Sequence, residues 1–244
     1  MSAVRYPVVE LRQYTLRPGQ RDVLIDLFDR ELVESQEAAG MAIVGQFRDL
    51  DDPDRFVWIR GFASMPFRAR ALGRFYGGPV WKAHRAEANA TMVDSDNVLL
   101  LRPVTTRSGF PVPVDARRPI GHGPAVPSRI LVTLYYRDQP FDPAFAEFFD
   151  RQARPVLIET GATPLACLQT EHAENTFPAL PVRTNENVFV WLACFPSAAH
   201  LGRHLRQIDR SDSWHDRVLP ALSAMITGGP QQLRLAPTAR SLLR

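Results

Sequence analysis

Cysteine is nearly missing from this 244-residue chain, Cys167 and Cys194 being its only two. Two thiols are too few for a disulfide framework or a thiolate metal cage, so a reduced, cytoplasmic protein is expected. Lysine is rarer still, with Lys82 alone against twenty-eight arginines. Guanidinium forks suit phosphate, but so lopsided a ratio reads first as the coding bias of a GC-rich bacterial genome. The formal charge is only +3. Arg68, Arg70 and Arg74, with Arg203, Arg206 and Arg210, read as solvated helix faces, since Asp209, Asp212 and Asp216 interrupt the second group; no nucleic-acid partner is expected. No apolar run is long enough to span a bilayer, and Met1 to Pro7 shows no basic region followed by an apolar core, so no membrane partner or export is expected either. Gly77-Gly78-Pro79 and Gly228-Gly229-Pro230 lack the spacing of phosphate loops and read as helix breaks.

What remains is an ordinary globular composition, 45% hydrophobic and 23% charged, on a chain long enough for two domains. Laid against itself, the chain shows two copies of one pattern. Phe28-Asp29-Arg30 running to Gly40 recurs as Phe149-Asp150-Arg151 running to Gly161, at an offset of 121. Phe56-Val57-Trp58, Ser64, Trp81 and Met92 recur as Phe189-Val190-Trp191, Ser197, Trp214 and Met225, at an offset of 133. The second copy therefore carries 12 additional residues, placed between Thr170 and Asn187, where Pro178 and Pro181 mark an irregular excursion.

Each copy reads as βαββαβ. Val8 to Leu16 is a strand ending at Arg17-Pro18-Gly19, and Arg21 to Ala39 an amphipathic helix stopped by Gly40. A hairpin turns around Asp51 to Asp54, Ser64 caps the next helix ahead of Pro66, and Val98 to Leu101 closes the unit as a strand. The fold expected is α+β: two ferredoxin-like repeats, 1–103 and 129–244, joined by a Pro/Gly-rich linker at 104–128, with their bare sheet faces pressed into an α/β barrel.

Glu10-Leu11-Arg12-Gln13-Tyr14, Arg17-Pro18-Gly19, the helix ending at Gly40, the strand around Trp58, Trp81, and Leu99-Leu100-Leu101-Arg102-Pro103 together resemble the NIPSNAP family. The second copy resembles a diverged member. The resemblance implies the dimeric α/β-barrel fold, whose relatives include cofactor-independent monooxygenases, isomerases, lactone-forming enzymes, haem proteins and non-catalytic modules. It implies no single activity.

Alternation puts Glu10, Arg12 and Tyr14 on one face of the first strand, and Phe56, Trp58, Arg60 and Phe62 on one face of the hairpin's return strand. Val57, Ile59, Gly61 and Ala63, being small, are expected to pack under the helices. The polar and aromatic set is then expected to line a cavity inside the barrel. There Arg12 and Arg60 would hold a carboxylate or a developing oxyanion, and Tyr14 or Glu10 would move a proton. His84 is a candidate proton shuttle, while Tyr76, Asn89, Tyr135 and Trp191 are candidate ligand contacts. The plainer alternative is a Glu10–arginine pair that merely docks the sheets. Against it, Glu10, Arg12 and Arg60 become Leu131, Thr133 and Ala193 in the second copy.

No metal site and no cofactor are expected. His200 and His204 have a metal-compatible spacing but lack an accompanying carboxylate, and no strand of the first copy carries a histidine for haem. Cys167 and Cys194 are expected to pack in core strands as small hydrophobes. The functional expectation is a small, partly apolar organic ligand in the barrel, with metal-free proton transfer or oxygenation as its stronger form. The alternative is a filled barrel acting as an interaction module. Further self-association is left open.

Overall fold

The structure is a computed structural model describing residues 6–111, 117–121 and 126–244. The extreme N-terminus read above for an export signal, and parts of the connector, lie outside the described residues. The first repeat runs β1 (Val8–Leu16), α1 (Arg21–Leu27), a π-helical turn (Phe28–Leu32), α2 (Val33–Ala38), β2 (Ala42–Asp49) and β3 (Arg55–Phe62). It continues with α3 (Met65–Tyr76), α4 (Pro79–Thr91), a short β4 (Met92–Asp94) and β5 (Val98–Pro103). The second runs β6 (Arg129–Arg137), α5 (Pro143–Phe148), a π-helical turn (Phe149–Ala153), α6 (Arg154–Glu159), β7 (Pro164–Thr170) and β8 (Asn187–Phe195). It ends with α7 (Ala198–Asp209), a π-helical segment (Ser213–Val218), α8 (Leu219–Ser223) and β9 (Gln231–Pro237). No described helix is long and apolar enough to cross a membrane.

The local features repeat for local reasons. Gly40 and Gly161 stop their helices at φ 103° and 97°, a conformation that costs a residue with a Cβ far more than glycine. Ser64 accepts the Phe67 amide at 3.2 Å and caps α3. The strand after each glycine carries a register shift at the matching place, between Ile43 and Gly45 and between Pro164 and Ala166.

Within the first repeat the strands lie in the order β5-β1-β3-β2, and within the second in the equivalent order β9-β6-β8-β7. The repeats join at two antiparallel seams. Phe47 pairs with Pro237 and Asp49 with Leu235 along one, and Leu101 with Thr170 and Pro103 with Leu168 along the other. These pairings close eight of the nine described strands into an antiparallel barrel, with β4 an outer addition to β1.

The barrel interior is filled. Val9, Leu11, Val57 and Ile59 of the first repeat meet Ile130, Val132, Val190 and Leu192 of the second in one buried aliphatic cluster, joined by Phe110 of the connector and Leu243 of the C-terminal tail. The interior of an eight-stranded barrel is narrow enough for inward side chains to fill, and here β-branched and leucine side chains do so. The expectation that the small residues lie under the helices is thereby reversed. Val57 and Ile59 point inward, while Tyr14, Trp58 and Phe62 join a separate cluster with the helical residues Leu24, Phe28, Leu32 and Phe75. Size misled the reading: the narrow space is inside the barrel, and the deep layer lies between sheet and helices.

Candidate functional site

The residues expected to converge do so, but under the first repeat's helices. Glu10, Arg12, Arg60 and Arg68 are each no more than 1% exposed. Register places Glu10 opposite Arg60 and Arg12 opposite Trp58 on β1 and β3. Arg12 Nη1 donates to Glu10 Oε2 at 2.6 Å, Arg60 Nε to the same oxygen at 2.8 Å, and Arg68 Nε to Oε1 at 2.6 Å. Among the described residues Glu10 is the one carboxylate in ion-pair contact with these guanidiniums, which leaves a surplus of two positive charges. Arg12 Nε donates to the Tyr14 hydroxyl at 3.0 Å, and Arg60 Nη1 to Gln36 Oε1 at 3.1 Å. Gln36 in turn donates to the Leu32 carbonyl at the end of the π-helical turn.

Aromatic faces hold the guanidiniums. Arg12 and Arg60 lie 5.4 and 5.0 Å from the Trp58 ring centroid, and Arg60 and Arg68 lie 5.5 and 5.9 Å from that of Phe62. Burial alone would raise the Glu10 carboxyl, but Arg60, Arg12 and Arg68 together hold it well below the ordinary carboxylate range. Burial raises the Tyr14 phenol, with Arg12 opposing. A carboxylate held so firmly ionised is a poor proton carrier, so the proton-transfer role expected of Glu10 gives way to that of a counter-ion.

Beside the cluster, Tyr14, Phe28, Trp58, Phe75, Tyr76 and Trp81 surround a cavity of about 30 Å³, room for a water molecule. The second repeat covers the cluster. Arg68 Nη1 donates to Asn175 Oδ1 at 2.9 Å and to Thr176 Oγ1 at 3.3 Å, and Phe177 stacks on Tyr76 at 6.0 Å. These three residues belong to the excursion between β7 and β8 whose extra length the repeat comparison located. On its other side Asn175, with Leu100, His172, Pro178 and Arg183, lines an open hollow of about 680 Å³.

Other expected contacts fall elsewhere. His84 is half-buried on α4 between Glu31 of the adjoining π-helical turn, at 3.6 Å, and Glu87 of its own helix, at 3.7 Å, and does not line the cavity. Asn89 is exposed on the same helix. Tyr135 and Trp191 lie under the second repeat's helices, across the filled barrel from Arg12. Cys167 is buried, whereas Cys194 is exposed rather than packed in the core. His200 bonds to Ser197 and His204 to Thr160, so the two imidazoles do not converge.

Arg68 and Gln36 were missed, Arg68 having been read as part of a solvated stripe. Its signal was available, since Arg68 lies three, four and seven residues before the core positions Ala71, Leu72 and Phe75 on α3. Its counterpart at offset 133 is Leu201, and that of Gln36 at offset 121 is Leu157.

Residues 9–106 match the family model described as NIPSNAP. The match falls on the first repeat. No curated protein matches the chain. Across nearly the whole chain it is similar in fold to an anthrone oxidase-like protein, at 15% identity and TM-score 0.56, covering 98% of this chain and 94% of that one. It is similar also to a monooxygenase candidate from Fusobacterium nucleatum subsp. nucleatum, at 10% identity and TM-score 0.54, covering 96% and 93%. A further monooxygenase candidate, from Lactobacillus acidophilus, is 14% identical at TM-score 0.51, covering 95% and 94%. At such identities these likenesses concern the fold. In the repeat that matches the NIPSNAP model the arginine cluster is present; at the matching positions of the other repeat stand Leu131, Thr133, Leu157, Ala193 and Leu201.

Proposed function

We propose that this protein binds a small organic molecule at the arginine cluster of its NIPSNAP repeat, in the layer between sheet and helices, with metal-free proton transfer or oxygenation as the associated chemistry. The observation that carries the reading is the contrast between repeats. The same fold is built in the second repeat with Leu131, Thr133, Leu157, Ala193 and Leu201 in place of Glu10, Arg12, Gln36, Arg60 and Arg68, so the fold does not require the ions. Replacing buried ion networks by apolar side chains is often neutral or stabilising, and a network kept at such cost serves another purpose. Tyr14, at the cavity wall, is the proton-transfer candidate, and the guanidinium of Arg12, hydrogen-bonded behind it, is the candidate for stabilising negative charge.

A second reading, a non-catalytic interaction module, is favoured by the filled barrel and by the small size of the enclosed cavity. A thermal-shift screen of aromatic acids and polyketide-like compounds separates the two. Stabilisation of the wild type that disappears in Arg12→Ala supports the ligand site. Stabilisation indifferent to Arg12, or none across the panel, favours the module.

A further inference from the structure

We infer that the ligand is an anion, an aromatic carboxylate or a comparably acidic ring compound, whose charge is taken by the surplus guanidinium capacity of Arg12, Arg60 and Arg68. This rests on the reading above and adds the charge of the ligand to it.

The first ground is charge. Three fully buried cations share one buried carboxylate, and each unpaired charge removed from water costs several kcal/mol unless a counter-charge meets it. Of the arginines that the connector and tail bring, Arg117 is matched by Glu37 and Arg240 by Glu34.

The second ground is donors. Trp58 Nε1 and Arg68 Nη2 are buried N–H groups with no acceptor among the described residues. The second repeat shows how such a tryptophan is satisfied within the protein: Trp191 Nε1 donates to the Tyr135 hydroxyl at 3.0 Å. In the first repeat the matching hydroxyl, that of Tyr14, already accepts from Arg12. Donors without acceptors, in a region of positive charge, call for a ligand that brings acceptor oxygens and a negative charge together.

The third ground is shape. The cavity wall is aromatic, while its volume of about 30 Å³ has room for no more than a water-sized group, so an organic anion must displace something. Asn175 is the shared wall between the cluster and the larger hollow, and its Oδ1 with Thr176 Oγ1 occupies the Arg68 Nη1 donor that a carboxylate would take. Exchange of two neutral acceptors for an ionised one strengthens the bond and joins the hollow to the aromatic wall.

The test is calorimetric titration of the full chain with naphthoate and with naphthamide, which share a shape and differ in charge. Naphthoate is expected to bind at least about tenfold more tightly, the smaller end of what a buried charge-assisted pair contributes. That preference is expected to fall to about unity in Arg68→Met, which keeps the side-chain volume. Should Arg68→Met not fold, Arg12→Met carries the same measurement. Equal binding of the two compounds by the wild type overturns the anion assignment and leaves the site standing. A naphthoate preference that survives both variants places charge recognition elsewhere and overturns it too. Binding of neither compound removes the site together with its charge preference.

Discussion

Arg68 donates through Nη1 to Asn175 Oδ1 at 2.9 Å, linking residues 107 positions apart and tying the second repeat's excursion onto the first repeat's buried cluster. Asn175 also donates to the Leu180 carbonyl, Thr176 donates to the Met65 carbonyl, and Phe177 lies on Tyr76. An extension that drifted without purpose would not be pinned at three successive residues to the opposite repeat.

The excursion is therefore expected to loosen as a unit. In Asn175→Ala combined with Phe177→Ala, hydrogen exchange should quicken across 171–186 while β1, β3 and β6 keep their protection. Unchanged exchange in that segment would show that its attachment lies elsewhere.

Glu10 is the cluster's only counter-charge among the described residues, so Glu10→Gln leaves three buried guanidiniums facing a neutral amide. The expected loss near neutral pH is about 3–5 kcal/mol, read as a fall in Tm of roughly 10 °C. The pH dependence has a definite sign. The folded carboxyl lies well below its ordinary value, burial being overcome by Arg60, Arg12 and Arg68. Its contribution is complete above the unfolded carboxyl's pKa and is lost as the pH falls toward the folded value. The gap between wild type and Glu10→Gln should therefore narrow steadily from about pH 4.5 downward. A gap independent of pH would mean that folding does not shift the pKa of this carboxyl.

Asp29 titrates in the opposite sense. Burial lifts its carboxyl to about 6, against the pull of Arg240, Arg117 and Arg48. A raised acid favours the folded state while protonated, so this contribution is present below the unfolded value and fades as the pH rises through about 6. Asp29→Asn is expected to stabilise the protein at pH 8 by an amount on the order of 1–3 kcal/mol and to change little near pH 4. Equal effects at the two values would contradict the assignment.

The architecture was legible because duplication writes it twice. A helix stop at Gly40 recurs at Gly161, the hairpin around Trp58 recurs around Trp191, and a βαββαβ unit with one uncovered sheet face needs a partner. The membership of the site was partly legible too, since Glu10, Arg12, Tyr14, Trp58, Arg60 and Phe62 were grouped by alternation alone. Which side of the sheet they occupy was not, because alternation sorts residues into two faces without saying which face is inside. Side-chain size was the wrong arbiter in a barrel this narrow. His84 and Asn89 share a helix with the pocket residue Trp81, but His84 is taken up by Glu31 and Glu87 and Asn89 is exposed, which sequence proximity alone does not show. Asn175 and Phe177 reach the site only through the seam between repeats, a contact that no local pattern reports.

The central claim is that the arginine cluster serves a ligand and not the fold. It is tested most directly by placing the second repeat's residues in the first, as Glu10→Leu, Arg12→Thr, Gln36→Leu, Arg60→Ala and Arg68→Leu together, and following unfolding by calorimetry without ligand. The account predicts a cooperative transition within about 5 °C of the wild type, since one repeat already folds with that set and loss of a buried ion network is often neutral. A chain that fails to fold, or that melts far below the wild type, would show that the cluster holds the structure together and would contradict the account.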